Sequence, residues 1–287
     1  MIQSPSNYSL GLTDLNKRSS LSAYIHMVKK ELIIMIRYPV AFLSSFIQVF
    51  LILAIFTLAA FVFTGENSIS KVEISGIMVY GLIIFLFVSE AFFTIGLSLR
   101  REQTTGTLES VYLTPANQFA NLVSRISVAF VWSGLVSIFS IIFFSFVIGT
   151  VPIYNVLIGI FFLLFALSGT FGFGFMIAGL GIRLKETIEL LANVAQFAVL
   201  ILCAVFFPFS ALPEPALWIS KLIPISYAVD LFRSIMMGLP RGYPELASFE
   251  VEAIIVIFYG LLFPLFGYKY YQRQIRSAQD EGSLSNF

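Results

Sequence analysis

Long apolar stretches alternate with short polar ones along most of the chain. A hydrocarbon core about 30 Å thick takes roughly 20 residues of helix to cross. Six stretches meet that length: Val40 to Phe63, Ser75 to Leu99, Ser124 to Gly149, Val156 to Ile182, Leu190 to Phe209, and Val251 to Tyr268. The pattern predicts an all-α integral membrane protein with six transmembrane helices. Ahead of the first stretch, Leu21, Tyr24, Ile25, Val28, Leu32 and Met35 form one helical stripe, with Ser22, His26, Lys29, Lys30 and Arg37 on the other side. Such a helix is expected to lie along the inner membrane face, its cations toward anionic headgroups or a protein. Pro39 then bends the chain into the bilayer. No apolar run precedes a small-residue cleavage site in the first thirty-eight residues, so a removable signal peptide is not expected.

A seventh crossing from Phe207 to Pro240 is disfavoured by Pro208, Pro213, Pro215 and Pro224, since proline costs a helix interior about 3 kcal/mol. Two short helices dipping into the outer leaflet are predicted there. Irregular backbone at membrane depth needs protein or a wet cavity to satisfy it, which makes this segment a candidate exit side of a pathway. The expected organisation is therefore a cytoplasmic tail with an amphipathic interfacial helix (1–38), a transmembrane domain (39–268) with an intracellular loop at 100–123 and a re-entrant segment at 207–240, and a cytoplasmic carboxyl-terminal tail (269–287).

Composition supports the bilayer as solvent. Of the 287 residues, 58% are hydrophobic and only 11% charged, against roughly 25% charged in soluble domains. Charge also orients the spans. Thirteen of the seventeen basic residues, among them Lys17, Arg18, Arg100, Arg101, Arg183, Lys185, Arg273 and Arg276, fall in the tails and alternate loops of one side. The other four, Lys71, Lys221, Arg233 and Arg241, fall on the opposite side. The positive-inside rule then places both termini in the cytoplasm. A net charge of +1 gives no basic field for nucleic acid. Cys203, the sole cysteine, excludes an internal disulfide or a cysteine-based metal cluster in this chain, and the lone His26 has no second histidine beside it.

Several polar residues fall inside the spans. Glu90 lies ten residues before Arg100, about 15 Å into the membrane. A carboxylate there costs on the order of 3 kcal/mol and must face protein or water; a substrate or gating contact and a polar contact between helices are both open readings. Gln48 and Gln196 are expected to form interhelical hydrogen bonds. Gly169, Gly172, Gly174, Gly179 and Gly181 follow no strand and do not form a nucleotide loop; small residues in a membrane helix permit close packing.

The loop after the second span carries the most information. It reads Arg100-Arg101-Glu102-Gln103-Thr104-Thr105-Gly106-Thr107-Leu108-Glu109-Ser110-Val111-Tyr112-Leu113-Thr114-Pro115. Gly106 allows a turn, Thr107 can cap a helix, Leu108 with Val111 or Tyr112 makes an apolar edge, and Pro115 closes the piece. So short a helix has nothing of its own to bury against, so an external groove is expected to receive it. Arg101, Glu102, Gly106-Thr107-Leu108-Glu109 and Thr114-Pro115 together resemble the membrane subunits of ABC-2-type transporters. Pro224, Ser226, Tyr227, Asp230 and Arg233 are similar to that family's Pro-x-Ser/Thr-Tyr-x-x-Asp-x-x-Arg stretch. Gln103-Thr104-Thr105 departs from it, standing where the family more often has charged residues.

The resemblance implies that the loop is a coupling helix seated on a separate ATP-hydrolysing subunit, with Glu102 paired to a base on that subunit. It also implies that the interfacial helix, with Tyr24, Lys29 and Lys30, packs on the same partner. Two ATPase copies holding ATP and Mg, and a second permease copy, identical or related, complete the expected assembly in the cell membrane. Glu90, Pro224, Tyr227, Asp230 and Arg233 become candidates for the pathway or its gating. The chain shows no Walker A run, zinc-protease motif or nucleophile elbow. An exporter or flippase permease for amphiphiles, such as hydrophobic drugs, lipids or lipid-linked glycans, is the leading expectation. A secondary transporter or non-catalytic assembly subunit is the alternative, followed by a membrane-embedded lipid enzyme using Glu90 or Asp230.

Overall fold

A computed structural model describes scattered helical positions between 24 and 55, and then residues 71–97, 118–147, 151–184 and 187–280. The described residues are helical, with no strand among them. In chain order the helices are α1 (Lys71–Glu90, continued by a π-helical turn, Ala91–Ile95), α2 (Gln118–Val147), α3 (Val156–Leu184), α4 (Thr187–Leu202), α5 (Glu214–Leu222), α6 (Pro224–Met236) and α7 (Phe249–Asp280). Four of them, over Glu73–Ile95, Ile126–Phe146, Val156–Leu184 and Phe249–Ala278, are long and apolar enough to cross a membrane. The first expected span, Val40 to Phe63, lies largely outside the described residues.

Helix α1 with its π-helical turn is apolar on nearly every side and mostly buried from Ile77 through Ile95, with Leu86, Ser89, Glu90, Phe93 and Thr94 half-buried. It forms the middle of the bundle, touching α2, α3 and α6. The outer helices instead turn apolar stripes outward. Val131, Leu135, Ile138 and Ile142 on α2, Leu190, Val194, Phe197 and Ile201 on α4, and Val251, Ile254, Phe258, Leu261 and Leu265 on α7 recur at three- and four-residue steps and are exposed. A helix that hides small or polar groups and shows leucine outward is built for hydrocarbon.

The most extensive packing joins α3 to α7. Small residues allow it. A Cβ added at Gly267 would stand 2.1 Å from the Gly172 carbonyl oxygen, and one at Gly172 would stand 2.4 Å from the Phe263 carbonyl. The glycine run of the fourth apolar stretch is thus a packing surface, as small residues in membrane helices commonly are. Ser168 Oγ donates to the Gly260 carbonyl at 2.8 Å across the same seam, and the Thr170 and Tyr259 hydroxyls meet at 3.1 Å.

Two element ends differ from expectation. The fifth apolar stretch runs to Phe209 in sequence, but α4 stops at Leu202, after 16 residues. The chain turns there through Ala204, a buried residue with φ of +46°. The sixth stretch ends at Tyr268 in sequence, whereas α7 continues to Asp280 and carries Lys269, Arg273 and Arg276 on its last turns. Between α4 and α7, α5 and α6 are the two short helices of the proline-rich segment. Pro215 falls in the first turn of α5 and Pro224 in that of α6, where the missing N–H costs nothing.

Candidate functional site

Helix α6 carries the Pro224-Ile225-Ser226-Tyr227-Ala228-Val229-Asp230-Leu231-Phe232-Arg233 stretch, and it sits where α1, α3 and α7 begin and α4 stops. Tyr80 of α1 packs edge-on against Phe232, and its hydroxyl donates to the Pro152 carbonyl just ahead of α3. The Tyr154 amide donates to the Met236 carbonyl at 3.0 Å. Eleven of the thirteen residues of α6 are buried, including Ser226, Asp230, Arg233 and Ser234. A short helix with that much enclosed polarity has to be satisfied by the surrounding backbone.

Arg233 is held by carbonyls through its two terminal nitrogens, while its buried Nε has no partner among the described residues. Its Nη2 donates to Ala204 at 2.7 Å and to Val205 at 3.4 Å, and its Nη1 to Phe207 at 3.3 Å. The left-handed Ala204 turns its carbonyl toward the guanidinium, and the Phe209 ring lies 5.9 Å away on the other side. This arrangement explains the early stop of α4. The turn from Cys203 to Phe207 has given up helical hydrogen bonds to wrap an arginine 26 to 30 residues further on. Gly81 of α1 lets the turn approach, since a Cβ there would lie 1.9 Å from the Val205 carbonyl oxygen.

Asp230 is held by amides through one of its two oxygens. Its Oδ2 accepts from the Glu245 and Leu246 N–H groups at 2.7 and 2.8 Å. Glu252, in the first turn of α7, accepts the next amide of that loop, Ala247, at 3.0 Å through Oε1. Glu245 reaches back with both carboxylate oxygens to the Phe209 and Ser210 amides, at 3.2 and 2.7 Å. The two loops that flank α5 and α6 are therefore locked to α6 and to each other. Burial pushes the Asp230 carboxyl above its ordinary range against the pull of these amides and of Arg233. Burial likewise lowers the Arg233 guanidinium and raises Tyr243 to about 12. Beside this cluster a cavity of about 410 Å³ opens, lined in part by Glu73, Ile77, Pro208, Tyr243 and Glu245.

A row of small hydroxyls continues the polar seam toward α4. Ser226 Oγ donates to the Cys203 thiol at 3.4 Å and lies 3.3 Å from Ser220 Oγ, which donates to the Leu202 carbonyl at 2.6 Å. Tyr227 hydrogen-bonds the Lys221 carbonyl at 2.9 Å, closing the α5 to α6 corner that begins at Pro224.

Of the residues expected at a site, Asp230 and Arg233 are brought into one cluster, and Pro224 and Tyr227 shape its entrance helix. Glu90 stands apart, half-buried at the last α-helical position of α1. Thr94 Oγ1 donates to its Oε2 at 2.5 Å from within the π-helical turn, and Gln196 Nε2 of α4 donates to the neighbouring Ser89 Oγ at 2.6 Å. Tyr24 meets Ser127 near the start of α2, hydroxyl to hydroxyl at 2.9 Å, and Lys29 is exposed. Arg101, Glu102, Gly106, Thr107, Leu108, Glu109, Thr114, Pro115, Lys30 and Gln48 lie outside the described residues. Glu245 and Glu252 were not anticipated. The available signal for Glu252 was weak, an acid at the very start of an apolar span.

The family described as ABC-2 type transporter matches residues 22–237, which take in the interfacial stripe from Tyr24 on, the intracellular loop and all of α6. No curated protein matches the chain. With three quarters of its length inside that match and a bundle of long apolar helices around α1, this chain belongs to the ABC-2 type transporter family as a membrane-embedded permease.

Proposed function

We propose that the chain is the transmembrane subunit of an ATP-driven exporter or flippase for amphiphiles. Two permease copies, identical or related, enclose the pathway, and two separate ATPase subunits drive it from the cytoplasmic face of the cell membrane. The family match over residues 22–237 carries this reading, because the matched segment contains both the loop that would face an ATPase and the helix that closes the opposite end. ATP and Mg belong to the partner. Arg101, Glu102 and the Gly106 to Glu109 helix form the coupling contact, with Thr114 and Pro115 closing it, and Tyr24, Lys29 and Lys30 support the same partner from the interfacial helix. Movement of the loop is passed along α1 to Glu90 and onward to the cluster under α6. The bias of basic residues toward one side supports cytoplasmic termini.

The test is reconstitution with the cognate ATPase in liposomes. Glu102→Arg is expected to leave the complex assembled and hydrolysing ATP while transport per ATP falls at least about tenfold, as loss of a charge pair worth on the order of 1.4 kcal/mol or more at the contact would produce. Unchanged coupling in that variant would refute the assignment of the loop.

A further inference from the structure

Two carboxyl groups from different helices hold one loop. Asp230 of α6 and Glu252 of α7 are both 0% exposed. Each commits one oxygen to the loop, so the consecutive amides of Glu245, Leu246 and Ala247 are all taken. The remaining oxygens, Asp230 Oδ1 and Glu252 Oε2, are buried with no hydrogen-bond donor among the described residues. Because they accept the adjacent amides of Leu246 and Ala247, the two carboxyl groups stand side by side.

Two facing carboxylates in a low-dielectric site repel strongly, and one proton removes the conflict by turning two orphan acceptors into a donor and an acceptor. We propose that Asp230 and Glu252 form a proton-binding site, one proton being held between Oδ1 and Oε2, and that this proton fastens the 245–247 loop to α6 and α7.

Charge balance supports the assignment. Arg233 is the cation acting on Asp230 among the described residues, so one shared proton leaves the buried pair with one negative charge opposite one positive charge, while the Glu245 carboxylate is held apart by the Phe209 and Ser210 amides. The other titratable groups around the pair are Tyr227 on α6, Tyr243 and Glu245 on the loop, and Glu73 on α1, which acts on Tyr243. None of these supplies a second cation. A metal ion is a poor occupant: no three His, Cys, Asp or Glu side chains among the described residues are placed to hold one, and a guanidinium stands beside the pair. Asp230, held by two amides and facing Arg233, keeps the larger share of the negative charge.

The site has a consequence for the cavity next to it. Tyr243 and Glu245, on the clasped loop, form part of the wall of that 410 Å³ space. Losing the proton puts a second negative charge on the pair and loosens that wall. The proton site rests on the fold alone and stands whether or not the chain exports amphiphiles.

Infrared spectroscopy of the purified full-length permease in nanodiscs tests it directly. In a Glu90→Gln background, the carbonyl stretch of a protonated carboxyl group is expected at neutral pH and is lost on adding Glu252→Gln. Absence of the band in that background, or its survival after Glu252→Gln, overturns the proposal. An amide-exchange cycle gives a second readout. Asp230→Asn or Glu252→Gln alone still sets a donor against an acceptor, so each is expected to keep a near-parental thermal midpoint. The double variant sets two amide NH2 groups face to face, because both oxygens are committed to the loop, and its midpoint is expected to fall roughly 3 °C or more beyond the sum of the singles. Two stabilising single variants with additive effects are the result for a doubly ionised pair and would equally overturn it.

Discussion

Gln196 Nε2 donates to Ser89 Oγ at 2.6 Å, tying α4 to α1 one residue before Glu90. Interhelical hydrogen bonds in membranes contribute about 0.6 kcal/mol on average and up to about 1.7. Gln196→Leu is expected to lower stability by about 1 kcal/mol, read from unfolding in mixed micelles, while insertion and expression stay normal. Ser89→Ala should cost a similar amount, and the double variant little more than either alone.

Gly81 and Gly134 form a contrasting pair. The Cβ of Gly81→Ala would meet the Val205 carbonyl at 1.9 Å, and the obstacle is backbone held by Arg233. The Cβ of Gly134→Ala would meet nothing within 4 Å among the described residues. Gly81→Ala is expected to cost about 3 kcal/mol or more, and Gly134→Ala to be neutral or to stabilise α2 by up to about 1 kcal/mol. Thermal midpoints of the two variants by size-exclusion chromatography decide it; equal midpoints would contradict the tight seat of the Cys203 to Phe207 turn.

Helix α5 wears its apolar residues outward. Trp218 is 72% exposed and Leu222 82%, while Ser220 faces inward and is buried. Lys221 Nζ lies 5.6 Å from the Trp218 ring, an arrangement suited to the headgroup layer. The chain has two tryptophans, so Trp132→Phe leaves Trp218 as the sole reporter. Its emission in proteoliposomes is expected to be blue-shifted and quenched by lipids brominated near the headgroup. Quenching by aqueous iodide alone would set α5 in water instead.

Tyr243 supplies a pH dependence of known sign. Burial raises its phenol from 10.0 to about 12, so the folded state holds this proton more tightly than the unfolded chain does. That stabilisation is complete below pH 10 and is lost as pH rises through about 12. The thermal midpoint in detergent is expected to fall across this window, and Tyr243→Phe to flatten that part of the curve.

The spans were legible because a helix in hydrocarbon must satisfy its own backbone, which makes length and hydropathy sufficient signals. The second, third and fourth apolar stretches accordingly coincide with α1 and its π-helical continuation, α2 and α3 to within a few residues at most ends. The stop of α4 was hidden, since Cys203 to Phe207 is as apolar as what precedes it, and its cause is an arginine in another helix. The continuation of α7 was hidden for the opposite reason: Gln272, Arg273 and Gln274 end an apolar run without ending a helix. Asp230 and Arg233 were legible through their spacing with Pro224 and Tyr227. Glu252 was not, because an acid in a first helical turn ordinarily answers the helix dipole, and only the fold shows it facing Asp230.

The π-helical turn from Ala91 to Ile95 follows Glu90 directly, and Gly96 donates back to the Ala91 carbonyl at 3.1 Å across five residues. Such a turn carries one surplus residue within an otherwise regular rod. A push along the axis crosses this joint to the seam that Gly81 makes with the Val205 carbonyl, while a twist applied below it can be taken up by shifting that surplus along the helix. The central helix is therefore a jointed shaft, and Thr94 sits at the joint with its hydroxyl on the one carboxylate that lies directly above it.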